Sequence, residues 1–364
     1  MEFLCSRYDF IKTYPYAKFP LKRVFLKNLD NAYYPAKWLT PHTKIVHDRV
    51  PLEIARGCPN HCTFCQARSL YNPYRERKAQ TIINLARVLY ESSGYEDFSL
   101  LALSASDYSQ VETVISGFID TFGEKRVGLS LPSLRIDDII DRLYRKIIPL
   151  KKTSLTIAVE AAKENLRSEI NKKIDINKLF EAAQFIRSLK LKHIKIYFMF
   201  GFPKEIDDDL IEIPRFLNRL SCQAKIAVNA SINIFCPKPF SSWEAVKMEK
   251  EEDLIIKRKI LLENIPLRSN IKFSISNVKK SILEAVISRA DRRFSAVICR
   301  AFLKGAHLSN GDDALSWQIW QEAMREENID YRFYLEANTQ NFPWSFINTS
   351  YGQMPEDRVQ KSDI

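Results

Sequence analysis

From residue 50 onward the apolar positions follow two alternating patterns. Short apolar runs at Leu52–Ala55, Phe98–Leu103, Val127–Leu131, Ser154–Val159, Ile194–Phe200 and Ala227–Phe235 have the length and composition of buried strands. Between them, apolar residues recur at helical spacing. Ile82, Leu85, Ala86 and Leu89 share one face, stopped by Gly94, and Leu179, Ala183 and Ile186 share another. Strands alternating with amphipathic helices predict an α/β fold with a parallel sheet, either open and doubly wound or curled into a partial barrel.

The pattern is absent at both ends. Residues 1–47 are aromatic-rich and broken by Tyr14-Pro15, Phe19-Pro20 and Tyr34-Pro35, which predicts an extended arm. After residue 240 come a charged helix over Glu249–Glu263, a short strand at Lys272–Ile275 and further helices to about residue 327. The expected organisation is therefore an arm (1–47), the strand–helix domain (48–240), a mainly helical extension (241–340) and a tail (341–364). A helix around Arg289–Lys304 would place Arg289, Arg293, Arg300 and Lys304 opposite Phe294, Val297 and Ala301. Two readings of that basic side stay open: a solvated face and a nucleic-acid contact.

Composition narrows the function. At 364 residues with 46% hydrophobic positions, the chain can bury a large core. No apolar run approaches membrane-spanning length and the N-terminus carries Glu2, Arg7 and Asp9, so a cytoplasmic protein is expected, without membrane contact. The net charge of +11 favours a polyanionic partner such as RNA. Seven cysteines, three of them clustered, argue for a reduced compartment and a metal site over a disulfide framework.

The cluster is Cys58, Cys62 and Cys65, within Arg56-Gly57-Cys58-Pro59-Asn60-His61-Cys62-Thr63-Phe64-Cys65 at the end of the first apolar run. Purely structural thiols would add little packing so close together. Zinc could take His61 as a fourth ligand, although zinc sites usually pair ligands from two segments. Three thiolates can instead hold a 4Fe–4S cube with one iron lacking a protein ligand, and this reading fits the spacing best. Two readings of Phe64, directly before the third cysteine, stay open: a ring beside a molecule bound at that iron, and an ordinary core aromatic. Arg56 to Lys78 holds five basic residues and one acid, which suits a site receiving carboxylate or phosphate groups. Cys222, Cys236 and Cys299 are too dispersed for a second cluster, and Cys236 is the one worth testing as a substrate-facing group.

The Cys-x3-Cys-x-aromatic-Cys string resembles the signature of the radical S-adenosylmethionine (SAM) superfamily. The likeness continues through Ser104-Ala105-Ser106-Asp107-Tyr108, Leu131-Pro132-Ser133-Leu134-Arg135, Glu160-Ala161-Ala162, Ile170-Asn171-Lys172, Lys195–Pro203 and Pro237-Lys238-Pro239. Together with Ser281–Arg293 and Phe342-Pro343-Trp344, these segments look like an uncharacterised family in which a radical SAM domain follows a cobalamin-binding-like domain. The resemblance implies a partial (β/α)6 TIM-like barrel with a 4Fe–4S cluster on Cys58, Cys62 and Cys65. It implies SAM contacts from Phe64, Ser104, Ser106, Glu160, Arg167 and the backbone of Gly201. Glu160 would meet the ribose or amino group, and Arg167 the methionyl carboxylate. A low-potential donor, ferredoxin or flavodoxin, follows from the same resemblance.

Departures temper it. Ala162 and Ala290 stand where the family usually has glycine, and no Asp-x-His-x-x-Gly string occurs. No cobalamin is expected on this chain, and a partner could supply the lost domain. The implied activity is reductive cleavage of SAM to a 5′-deoxyadenosyl radical that takes hydrogen from an unidentified substrate, with tRNA or rRNA as the leading class. The contrasting reading is a non-catalytic basic RNA- or protein-binding subunit with a structural metal site.

Overall fold

The computed structural model describes residues 21–43, 45, 48–125, 127–130, 155–188, 193–266, 270–306, 313–336 and 342–349. Among them, seven strands run parallel: β1 (Val50–Glu53), β2 (Asp97–Leu101), β3 (Gly128–Ser130), β4 (Leu155–Glu160), β5 (His193–Phe200), β6 (Ala227–Ile234) and β7 (Ile271–Ile275). They pair in chain order, β1-β2-β3 and β4-β5-β6-β7. The segment Leu131–Arg135 and the start of the fourth predicted strand, Ser154, lie outside the described residues. This is the α/β, parallel-stranded architecture of a partial barrel. Helices α1 (Gln66–Tyr71), α2 (Ala79–Ser93), α3 (Val111–Phe122), α4 (Glu164–Glu169), α5 (Ile176–Ser188) and α6 (Asp207–Ala224) occupy the crossovers.

Alternation along the longest strands explains the core. In β5, Ile194, Ile196, Phe198 and Phe200 are buried while their neighbours are only partly so, and β6 repeats this with Val228, Ala230, Ile232 and Ile234. Strands buried on one face and half-covered on the other fit a sheet with helices outside and a partly open interior. The face of α2 read from the sequence is buried at Ile82, Ala86 and Leu89, and Gly94 ends the helix in a left-handed conformation with its N–H bonded to the Tyr90 carbonyl. Phe98 on β2 packs edge-on to Phe118 and stacks on Phe122 of α3.

Two expectations need correction. The strand at Lys272–Ile275 belongs to the barrel sheet: β7 pairs with β6 from Ile271↔Val228 to Ile275↔Ile232. The sheet therefore runs past residue 240. The predicted helix over Arg289–Lys304 is two helices, α8 (Val278–Arg289) and α9 (Phe294–Leu303), separated by Ala290 in an extended conformation. The charged helix is α7 (Glu251–Glu263), and α10 (Asp313–Glu326) packs on α9.

The arm and tail meet. Leu21–Lys22 pairs in parallel with Ile347–Asn348. Arg23 reaches the Leu70 carbonyl and donates to Asn72 Oδ1 at 3.1 Å, which binds the arm to the end of α1. The Trp344 indole donates to Glu244 Oε2 at 2.9 Å, docking the tail beside the 241–246 turn. Among the described residues no helix is long and apolar enough to cross a membrane.

Candidate active site at the carboxyl edge of the barrel

The cysteine loop leaves the sheet just after β1, at the edge where ligands gather in parallel α/β folds. Gly57 makes the exit: its φ is +96°, and a Cβ there would lie 2.8 Å from the Tyr71 carbonyl oxygen and 2.9 Å from the Tyr74 Cα. Any side chain would push the loop off its seat. The loop is then held by its own backbone. Thr63 N–H donates to the Ile170 carbonyl at 3.1 Å, Trp243 N–H donates to the Thr63 carbonyl at 3.2 Å, and Asn171 Nδ2 donates to the His61 carbonyl at 2.9 Å. Segments following β4 and β6 thus clasp a loop following β1, and chain distance gave no sign of that contact.

Cys58, Cys62 and Cys65 are free and partly buried. Burial pushes the Cys62 thiol up, Lys172 pulls it down, and Cys65, Cys58 and Glu160 all act on it electrostatically. His61 is exposed. Among the described residues no three His, Cys, Asp or Glu side chains converge on a single ion point. Three thiols on one loop form a donor set that fits a cube, in which each thiolate binds a different iron.

Glu160 ends β4 with φ +69°, a left-handed conformation unfavourable for a residue with a Cβ, at a register shift between Ala158 and Glu160. Its carboxyl is pushed up by burial and drawn down by Lys172. Among the described residues its carboxylate has no hydrogen-bond partner. Strain and a desolvated acceptor on one residue mark a place built for something other than stability. Lys172, in the Ile170-Asn171-Lys172 segment, acts on both Glu160 and Cys62.

The other expected SAM contacts divide. Ser104 is buried where the chain leaves β2, and the backbone puts Ser106 in the 3-10 turn Ala105–Asp107. Phe64 faces a cavity of about 350 Å³ that Met199, Asn233, Cys236, Lys238, Ser276 and Glu284 also line. Burial pushes the Cys236 thiol up to about 12, so it is protonated near neutrality. Gly201 sits at φ +83°, where a Cβ would meet Leu254 Cδ2 at 2.9 Å. Its N–H is already taken by Glu205 Oε2 at 2.7 Å. Burial raises the Glu205 carboxyl to about 7, opposed by Lys257 at 3.2 Å and by that same N–H.

Arg167 is buried, and its Nη1 donates to the carbonyls of Ala161 (3.1 Å) and Ala162. Its visible work is to hold the turn that follows Glu160. The basic run is also largely committed. Arg56 forks onto Glu53 (2.7 and 2.8 Å), Arg75 donates to the carbonyls of Leu26, Tyr71 and Pro73, and Arg77 to that of Glu53. Only Arg68 and Lys78 of the five have no such structural bond among the described residues. The expected anion-receiving character of this run is correspondingly reduced.

The basic side of the C-terminal helix dissolves for a similar reason. Arg289 is buried and donates to the carbonyls of Val246 (3.0 Å) and Glu336 (2.9 Å). Arg293 pairs with Asp291, Arg300 with Glu326 and Glu327, and Lys304 with Glu322 and Glu326. The last two pairs bridge α9 to α10.

Parallel strand order, a three-thiol loop at the carboxyl edge and a cavity lined by Phe64 of that loop come together in one region of the chain. Residues 52–217 match the family model of the radical SAM superfamily. The uncharacterized protein MJ0966 of Methanocaldococcus jannaschii is 32% identical over 276 residues, covering 76% of this chain and 60% of that protein. A ribosomal protein uS12 methylthiotransferase, RimO of Clostridium botulinum, is 24% identical over 245 residues, covering 62% of this chain and 53% of its own. The chain thus spans 60% or less of the length of these two relatives. Among solved structures, the radical SAM methyltransferase TsrM of Kitasatospora setae, with cobalamin and a 4Fe–4S cluster bound, aligns at TM-score 0.50 and 9% identity. That alignment covers 77% of this chain and 61% of that one, and it supports the fold.

Proposed function

We propose that this chain is an enzyme that reductively cleaves SAM and uses the resulting 5′-deoxyadenosyl radical to take a hydrogen atom from a substrate. The observation that carries the reading is one juxtaposition. Three thiols on a backbone-clasped loop share an electrostatic environment with Glu160, a half-buried carboxylate without a hydrogen-bond partner among the described residues. Cys58, Cys62 and Cys65 would hold a 4Fe–4S cluster, which when bound supplies a single electron at low potential. Glu160 would accept from ribose hydroxyls or an amine, exchanging its desolvation for charged hydrogen bonds. Phe64 would wall the reacting region and connect it to the 350 Å³ cavity, which has room for a substrate group of modest size. Trp243 N–H, donating to the Thr63 carbonyl, seats the 241–246 turn against the cysteine loop.

An external low-potential donor, ferredoxin or flavodoxin in kind, completes the reading. RNA as the substrate class keeps the net charge of +11 behind it. It loses the α9 basic side, whose cations are paired within the chain.

Anaerobic reconstitution of the full chain tests the reading. The expected product is a brown protein with an absorption band near ~400 nm that bleaches on reduction and forms 5′-deoxyadenosine from SAM. Cys62→Ala should lose both properties while keeping its far-ultraviolet circular dichroism. A colourless zinc protein without SAM cleavage would establish the structural-metal alternative, and SAM turnover by Cys62→Ala would refute the site.

A further inference from the structure

Asn60 lies inside the cysteine loop, and the sequence reading gave it no task. In the folded chain its amide Nδ2 is 3.5 Å from Cys58 Sγ and 2.7 Å from Asp107 Oδ2. We propose that Asn60, aimed by Asp107, donates a hydrogen bond to the Cys58 sulfur and thereby sets the electron affinity of the metal centre that the loop holds. The proposal rests on the reading of the loop as a cluster site.

The direction of the amide follows from chemistry. A carboxylate only accepts, so the end of the Asn60 side chain facing Asp107 must be the NH2 group. That group carries two hydrogens, enough for one bond to the carboxylate and one to the sulfur. Asp107 is in turn fixed by the fold. It closes the 3-10 turn after β2, and the Tyr74 hydroxyl lies 3.1 Å from its carbonyl oxygen and donates to Glu76 Oε1 at 2.9 Å. The brace reaches across 47 positions of sequence, so it cannot form before β1 and β2 have paired.

The consequence is electronic. A donor on a cysteine sulfur withdraws negative charge from it and so favours the reduced, more electron-rich state of the metal centre. The Asp107 charge works the other way. It repels the added electron while polarising the amide that helps to hold it. Two substitutions on one hydrogen-bonded string should therefore move the potential in opposite directions, which a purely mechanical brace would not do.

Redox titration of the anaerobically reconstituted full chain, followed by electron paramagnetic resonance, separates the cases. Asn60→Ala should make reduction about three- to tenfold less favourable, where tenfold corresponds to 59 mV for a one-electron couple. Asn60→Asp replaces the donor by a charge and should lower the potential further. Asp107→Asn should raise it. Asn60→Ala and Asp107→Asn both within a factor of two of wild type, or both shifted the same way, would overturn the assignment. If Asn60→Ala takes up too little iron to titrate, the opposed shifts of Asn60→Asp and Asp107→Asn carry the same test. A wild-type protein that forms no cluster removes the functional reading itself. A normal cluster with unmoved potentials removes only the role given to Asn60.

Discussion

The cysteine-loop edge and the C-terminal helices both look polar and charged in the sequence, yet the fold treats them oppositely. Around α8 to α10 each basic side chain that stood out has found a partner: Arg289 two carbonyls, Arg293 Asp291, Arg300 and Lys304 the acids of α10. At the loop edge, groups are left waiting. Glu160 is half-buried, strained and without a hydrogen bond among the described residues, and the buried Thr63 Oγ1 has no partner. A buried polar atom without a partner typically costs about 1–3 kcal/mol, so such atoms persist where a ligand will satisfy them. The basic groups of the C-terminal helices are paired, and Glu160 at the loop edge is left bare.

The contrast can be strained from both sides. The largest effect should come from Glu160→Gln. Replacing a charged acceptor by a neutral one forfeits about 1.5–3 kcal/mol of hydrogen bonding to the cofactor. SAM affinity measured by calorimetry should fall roughly ten- to hundredfold, with cluster content unchanged. Unaltered affinity would put Glu160 outside the site.

Arg289→Ala should act only on the scaffold. Two carbonyls lose their donor, and chemical denaturation should show a loss of about 3 kcal/mol. A loss below about 1 kcal/mol would mean that the Arg289 bonds behave like surface contacts.

A smaller, pH-dependent effect belongs to Glu205, which links Gly201 to Lys257 of α7. Its carboxyl titrates near 7 in the folded chain, against an ordinary value of 4.5. The folded state therefore holds this proton more tightly than the unfolded state. Its contribution is complete below pH 4.5 and is lost as pH rises toward 7. Glu205→Gln should flatten that part of the thermal-midpoint profile between pH 5 and 7. An identical slope in the two proteins would refute it.

The smallest effect is expected from Arg300→Ala with Lys304→Ala. The α9–α10 pairs are exposed, so the double variant should show a slight drop in melting temperature that fades as salt is added. A strong, salt-sensitive loss of RNA binding instead would show that these cations serve a nucleic acid despite their pairing.

Much of the fold could be read from apolar spacing. Six of the seven barrel strands follow from short apolar runs, and the faces of α2 and α5 from a period of three to four, all local properties of the chain. What escaped was set by long-range contact. Residues 289 to 304 have helical periodicity, but Arg289 turns inward to bond Val246 and Glu336, so the chain breaks at Ala290. The strand at Lys272–Ile275 has no local mark separating an extension from a barrel strand; only its register with β6 reveals its place. In the candidate site, the cysteine cluster Cys58, Cys62 and Cys65 was legible in residue type and spacing, and Glu160 was singled out only through the resemblance. Asn60, Asp107 and Lys172 were not, because each matters through a neighbour distant in sequence.

The order of strands and helices and the clustering of three cysteines on one loop are written in residue type and spacing, because both depend on positions a few residues apart. Which charges are neutralised, which carboxylate is left bare, and which amide meets the Cys58 sulfur were decided only when distant segments closed on one another. A partner dozens of positions away leaves no trace in local pattern, and partners are what fix the energy of a buried charge.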